Sequence, residues 1–145
     1  MRRLPGLGMA LALNFVWINL SEIVRYLWIV IPELQSTAGA QAGAMRPTNI
    51  VVWGLWDTVL IVFATLFYAL WLSHFGRNAT QTLLAAVLLW AGVFGLLWIG
   101  VVNMGLAAWS LAVAALPLAL MEQIVAAFLV LLALNRARRE TRPSS

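Results

Sequence analysis

The sequence predicts an all-α integral membrane protein in which four transmembrane helices form one small bundle. The chain has 145 residues, of which 63% are hydrophobic and only 10% are charged. Soluble domains are about half apolar and a quarter charged, so this composition favours a membrane protein. The apolar residues fall into four stretches, each long enough to cross a hydrocarbon core that requires about 20 residues. By length, residues 1–145 are expected to form a single membrane domain.

The first span, residues 7–31, is apolar except on one side. At about 100° of rotation per residue, six of its polar and large aromatic side chains fall within an arc of about 140°, whereas Asn19 and Tyr26 lie outside it. The six residues are Asn14, Trp17, Ser21, Glu22, Arg25 and Trp28. Because charged side chains are costly in hydrocarbon, we expect this arc to face protein or a water-filled cavity. The span is too long and too polar for a cleaved signal peptide, so we interpret it as a retained helix that ends at Pro32.

A long connection and a second span follow. Residues 32–48 are rich in Ala, Gly and Gln and lack apolar periodicity, which predicts an outer loop. The second span covers residues 49–73. Helical spacing places five residues on the face of Asp57, namely Trp53, Ile61, Ala64, Tyr68 and Trp71. The polar sequence at 73–78 predicts a tight turn.

The third span, residues 82–102, is the plainest of the four. Gly92 and Gly95 share one stripe with Ile99 and Asn103. Small residues let membrane helices approach closely, so we expect this stripe to pack against another helix. The short turn at 103–105 predicts an antiparallel hairpin with the fourth span.

The fourth span, residues 106–134, contains a proline and an acid. Pro117 removes a backbone hydrogen bond and is expected to kink the helix. Glu122 shares a face with Ala115, Ala119 and Ala126. Residues 135–145 are predicted to be a basic, disordered cytoplasmic tail.

The arginines predict the orientation. All nine basic residues are arginines, as is typical of a GC-rich bacterial gene. With four crossings, seven of them lie on the side of both termini, namely Arg2, Arg3, Arg77, Arg136, Arg138, Arg139 and Arg142. Arg46 lies on the other side. The positive-inside rule therefore predicts that both termini are cytoplasmic, and we expect the bacterial inner membrane.

Four ionisable side chains lie within the predicted spans: Glu22, Arg25, Asp57 and Glu122. Glu22 and Arg25 are three residues apart and can touch on one helix, and Asp57 reaches a similar depth. Because unpaired acids in an apolar medium neutralise, we predict that Arg25 pairs with Asp57 or Glu22 and that Glu122 is protonated. Two interpretations remain open, which are a fixed strut between helices and a functional role.

Aromatic residues are the second unusual feature. The chain has eight tryptophans and two tyrosines, most of which are typical of an interfacial belt. Trp28 and Trp53 share faces with Arg25 and Asp57, where cation–π contacts are favourable, which predicts an outward-opening aromatic and charged pocket. The candidate ligand- or proton-binding residues are Glu22, Arg25, Asp57, Glu122, Trp28, Trp53 and Asn14.

The sequence lacks the residues that several kinds of functional site require. The chain has no cysteine, which excludes disulfides and thiolate metal sites, and the single histidine, His74, cannot supply two axial haem ligands. Phosphate-binding loops, Ser-His-Asp sets and paired-histidine motifs are absent. We therefore predict no metal site, no cofactor and no catalytic residue. Most arginines flank helix ends, so the net charge of +4 does not indicate a nucleic-acid partner.

The leading functional hypothesis is a small membrane protein whose polar, Trp-rich interior binds or transports a small ligand, lipid or proton. Four helices enclose little volume, so this function implies a homo-oligomer or a larger membrane complex, surrounded by membrane lipids. The alternative is an accessory subunit or assembly factor in which the charged residues and the glycine stripe bind partner helices. A lipid-modifying enzyme is a weaker alternative, because no nucleophile or metal set is visible.

Overall fold

The structure is a computed structural model that describes residues 5–32 and 47–140, apart from the side chains of residues 30, 47–50 and 53. Within these residues the fold is all-helical, without strands. Its α-helices are α1 (Leu7–Arg25), α2 (Pro47–Phe75), α3 (Ala79–Leu89), α4 (Leu96–Asn103) and α5 (Trp109–Glu140). A π-helical turn, Tyr26–Val30, extends α1, and another, Trp90–Gly95, joins α3 to α4.

Four helical segments are long and apolar enough to cross a membrane, as the sequence predicts. They are Leu7–Ile29, Gly54–Phe75, Ala79–Asn103 and Trp109–Glu140. The third segment combines α3, α4 and the π-helical turn between them, and it is called the third span below.

The helix α5 is central to the bundle, because it packs against α1, α2 and α3. Buried polar pairs fix how the helices are aligned. Asn14 Nδ2 on α1 donates to Thr65 Oγ1 on α2 at 2.9 Å, and Tyr68 OH on α2 donates to Gln123 Oε1 on α5 at 2.7 Å. These contacts hold α1, α2 and α5 around one core.

Small residues make this close packing possible. The core consists mainly of alanines that are almost fully buried, namely Ala10, Ala64, Ala69, Ala85, Ala86, Ala126, Ala127 and Ala133. Tyr68, Ile18 and Leu72 fill the space between them. At the start of α1, Gly6 has a φ of +92°, and a Cβ there would lie 2.5 Å from the carbonyl oxygen of Ala133. The first turn of α1 therefore rests directly on the backbone of α5.

The turn between α2 and α3 has a clear local cause. Gly76 has a φ of +111°, which glycine adopts without steric cost. Asn78 then caps α3, since its side-chain oxygen accepts a hydrogen bond from the backbone N–H of Gln81 at 2.9 Å. Arg77 donates to the carbonyl oxygen of Leu134 at 3.0 Å and ties this turn to α5.

Several predicted bounds differ from the structure. The last helix continues to Glu140, so residues 135–140 are helical rather than part of a disordered tail. The outer loop lies outside the described residues from 33 to 46, as do residues 141–145. Pro117 lies inside α5, which continues through it, and the expected kink stays a prediction.

The glycine stripe of the third span does not pack against another helix of this chain. Gly92, Ile99 and Asn103 are exposed, and a Cβ at Gly92 would meet nothing within 4 Å. Phe94 is buried instead. The π-helical turn changes the helical phase here, since its hydrogen bonds close over five residues rather than four.

Candidate functional site

Arg25 lies between two glutamates that belong to different helices. Its Nη2 donates to Glu22 Oε1 on the same helix, and its Nη1 lies 3.5 Å from Glu122 Oε2 on α5. The side chains of Arg25 and Glu22 are 13% and 12% exposed, and that of Glu122 is 3% exposed. The structure therefore contains the expected pair of Arg25 with Glu22 and adds a second pair across the bundle.

Glu122 is also held by neutral donors. The Ser21 hydroxyl donates to Glu122 Oε2, and Gln123 Nε2 donates to Glu122 Oε1 at 3.1 Å. Trp17 Nε1 donates to the backbone carbonyl oxygen of Glu122 at 3.0 Å. Its carboxyl group thus accepts two hydrogen bonds beside the guanidinium of Arg25, a contact that the sequence analysis did not predict. The protonation state of Glu122 stays a prediction.

These contacts form a continuous polar network through three helices. It begins at Glu22 and Arg25 on α1, passes through Glu122 and Gln123 on α5, and ends at Tyr68 on α2. Burying a polar group without a partner is costly. The network therefore stabilises the polar side chains in the bundle and fixes the rotamers around Arg25.

A half-open cavity of about 390 Å³, called the interior cavity below, adjoins this network. All four membrane-length helical regions contribute to its wall, at the end of the bundle that contains the start of α2 and the end of α4. It is lined by Glu22, Arg25, Tyr26, Val52, Trp56, Asp57, Phe94, Leu97, Trp98, Val101 and Ala115. The wall is mostly apolar and aromatic, with two acids and one arginine.

Asp57 lines the interior cavity. The sequence suggested a pair of Asp57 with Arg25 as one possibility, but the structure does not contain this pair. Asp57 is half-buried. No residue in the part of the chain that the structure describes forms an ion pair or hydrogen bond with its carboxylate. Arg25 instead contacts Glu22 and Glu122, because the alignment of α1 with α5 brings Glu122 within reach of the guanidinium.

A second space, the lateral groove, lies between α1 and α5 on the outside of the bundle. Its volume is about 570 Å³, and its lining is apolar except for Ser21, Arg25 and Glu122. Trp28 lines this groove and is 78% exposed. The structure therefore places Trp28 beside Arg25 in the lateral groove, whereas Asp57 lines the interior cavity, and the role of Trp28 in an outward-opening pocket stays a prediction.

The remaining predicted site residues lie elsewhere. Asn14 is fully buried and bonded to Thr65 in the core, away from the residues that line the interior cavity. The side chain of Trp53 is outside the described residues. The structure thus brings Glu22, Arg25 and Asp57 together around one cavity. Glu122 contacts Arg25 but does not line this cavity.

Two tryptophans that line the interior cavity, Trp56 and Trp98, were not among the predicted site residues. Trp56 directly precedes Asp57, and neither tryptophan was set apart from the interfacial belt that most of the aromatic residues were expected to form. Their expected depth in the membrane was a usable signal, because both lie near the same end of the bundle as Arg25 and Asp57. Their direction depended on how the helices pack, which helical periodicity alone does not give.

No family model, curated protein or solved structure matches this chain. Within residues 5–32 and 47–140, no group of three metal-binding side chains could hold a metal ion. The candidate site therefore rests on its own geometry, which combines a cavity, an anchored arginine, a half-buried acid and an aromatic wall.

Proposed function

We propose that this chain is a membrane-embedded protein whose interior cavity binds a small ligand, in transport or in sensing. The observation that carries the proposal is the combination of Arg25, Glu22 and Asp57 around a cavity among four apolar helices. Charged side chains in such a setting are costly. Ligand pockets have volumes of about 300–1,000 Å³ and combine apolar walls with a few polar groups, which fits this cavity.

The geometry favours a binding site over a purely structural strut. A strut needs the contacts of Arg25 with Glu22 and Glu122, and these do not involve Asp57. The cavity adds Asp57, Trp56 and Trp98, none of which belongs to the strut. A charged and aromatic wall around open space is what a ligand requires.

The distribution of arginines supports an orientation with cytoplasmic termini. In this orientation the interior cavity lies towards the outer side of the membrane, and the proposed membrane is a bacterial inner membrane. Lipids would then contact the exposed apolar side chains of the bundle.

A cysteine-accessibility experiment tests the proposal, because the chain contains no cysteine of its own. Leu97 lines the interior cavity and is 46% exposed, whereas its neighbour Leu96 does not line the cavity and is 66% exposed. We expect Leu97→Cys to react with a charged methanethiosulfonate reagent added outside intact cells. The matched control Leu96→Cys should react much more slowly, because a thiol facing lipid does not form the reactive thiolate.

Equal labelling of the two variants, or no labelling of Leu97→Cys from either side of the membrane, would rule out a water-accessible cavity. Labelling of Leu97→Cys only from the cytoplasmic side would contradict the orientation. Both variants should be made in the full chain in its membrane.

A role as accessory subunit is the second candidate, and the exposed glycine stripe favours it. Gly92 leaves open space where a Cβ would lie, as a neighbouring helix would require. Native mass spectrometry of protein extracted gently from its membrane separates the candidates. A fixed-ratio complex with other proteins would support a subunit, whereas a monomer or homo-oligomer with a retained small molecule would support a binding protein.

A further inference from the structure

We propose that the interior cavity selects an organic cation, such as a substituted ammonium ion with an apolar or aromatic body. This inference rests on the proposed function, because it assigns a ligand class to the same cavity. It follows from three features of the described residues, which are the charge balance, an acid without a partner among them and the aromatic wall.

The charge balance around Arg25 disfavours an anion. The guanidinium already contacts Glu22 and Glu122, so an anionic ligand would have to displace one glutamate from a buried pair. Asp57 is a third acid, and it lines the cavity together with Glu22. Among the described residues, three carboxyl groups and one guanidinium lie at the cavity or in the ion pairs beside it, so this region is negative even when one acid carries a proton.

Asp57 provides the counter-charge for a cation. Its carboxylate lines the interior cavity and has no bonded partner in the part of the chain that the structure describes. A half-buried carboxylate beside open space attracts an ammonium group by charge, with or without an N–H donor on the ligand. Glu22, on the facing helix, increases the negative potential without needing to leave Arg25.

Aromatic rings supply the remaining wall. Tyr26, Trp56, Phe94 and Trp98 line the interior cavity from three different parts of the fold. The faces of aromatic rings attract cations, tryptophan most strongly, and aromatic cages recognise quaternary ammonium groups. Rings and acids together therefore favour a cation with an apolar body over a hydrated metal ion.

Binding of three probes of similar size tests this selectivity. The full chain in phosphatidylcholine nanodiscs is dialysed to equilibrium against benzyltrimethylammonium, benzyl alcohol or benzenesulfonate, with empty nanodiscs as the blank. We expect saturable binding of the cation with at least about tenfold higher affinity than that of the other two probes. Benzenesulfonate binding as tightly as the cation would overturn the proposal.

Matched variants test which residues are responsible for cation binding. Asp57→Asn should weaken cation binding by about tenfold or more, because it removes a charged partner, and Trp98→Leu should weaken it several-fold. Glu140→Gln removes the same charge from an exposed position on α5 that pairs with Arg136, and it should leave binding unchanged. Equal losses in Asp57→Asn and Glu140→Gln would overturn the assignment to Asp57.

The experiments distinguish a failure of the cation assignment from a failure of the proposed function. If benzyl alcohol or benzenesulfonate binds best, the cation assignment is wrong while the interior cavity is still a ligand site. If none of the probes binds, the cation assignment is wrong, and the proposed function fails only if Leu97→Cys is also unreactive.

Discussion

The guanidinium Nη1 of Arg25 lies 3.5 Å from Oε2 of Glu122, so an ion pair joins the first and last helices inside the bundle. Arg25 also lines both the interior cavity and the lateral groove. Its side chain therefore separates the interior of the bundle from the outer surface between α1 and α5. The same pair acts as a strut and as part of the cavity wall.

Replacing Arg25 should destabilise the protein strongly. Arg25→Met removes the cation that Glu22 and the buried Glu122 contact. Removing one partner of a buried ion pair costs about 3–5 kcal/mol. We expect a clearly lower Tm, measured by circular dichroism of the purified protein in detergent. Adding Glu122→Gln should recover part of the loss, because it removes one of the acids left without a base.

Arg136→Gln is the control for this variant. Arg136 pairs with Glu140 at 3.2 Å, and both side chains are well exposed, so its loss should change the Tm little. An unchanged Tm in Arg25→Met would show that the buried pair is not a strut.

The polar face of α1 and the alanine face of Glu122 were predictable because they follow from helical periodicity. The contact between Arg25 and Glu122 was not, because it depends on how α1 is aligned with α5. That alignment is set by backbone contacts such as the one between Gly6 and Ala133. The separation of Trp28 from the cavity that Asp57 lines was not predictable either, since a π-helical turn follows Arg25 and breaks the assumed rotation of 100° per residue.

Gly6→Ala should destabilise the contact between the first and last helices. The new Cβ would lie 2.5 Å from the carbonyl oxygen of Ala133, at a φ of +92° that alanine rarely adopts. We expect a lower Tm in the same detergent assay. In Gly8→Ala the new Cβ meets nothing within 4 Å, and alanine favours the helix, so this control should be neutral or stabilising. Equal effects of the two substitutions would contradict the close approach of the backbones.

The hydrogen bond between Asn14 and Thr65 should contribute to stability. Both residues are fully buried, and Asn14 Oδ1 has no bonded partner among the described residues. Thr65→Val would leave the Asn14 amide without this acceptor as well, which costs about 1–3 kcal/mol. The double variant Asn14→Leu/Thr65→Val should be more stable than Thr65→Val alone, because no unpaired amide remains buried.

Thr58→Val is the control for the Thr65 substitution. Thr58 is exposed, and its hydroxyl donates only to Gly54 on its own helix, so chemical denaturation should reveal little change. A larger loss in Thr58→Val than in Thr65→Val would contradict the importance of the bond between α1 and α2.

Filling the interior cavity should block it without unfolding the bundle. Ala115 lines the cavity, whereas Ala119, one turn later on the same helix face, packs in the core with Leu60 and Phe94. Ala115→Leu places its added carbons in open space, so we expect a nearly unchanged Tm together with slower labelling of Leu97→Cys. Ala119→Leu has no such space, and overpacking a core costs about 1–3 kcal/mol, so its Tm should fall. If both leucines lower the Tm equally, the cavity beside Ala115 is closed in the folded protein, and a ligand site there is excluded.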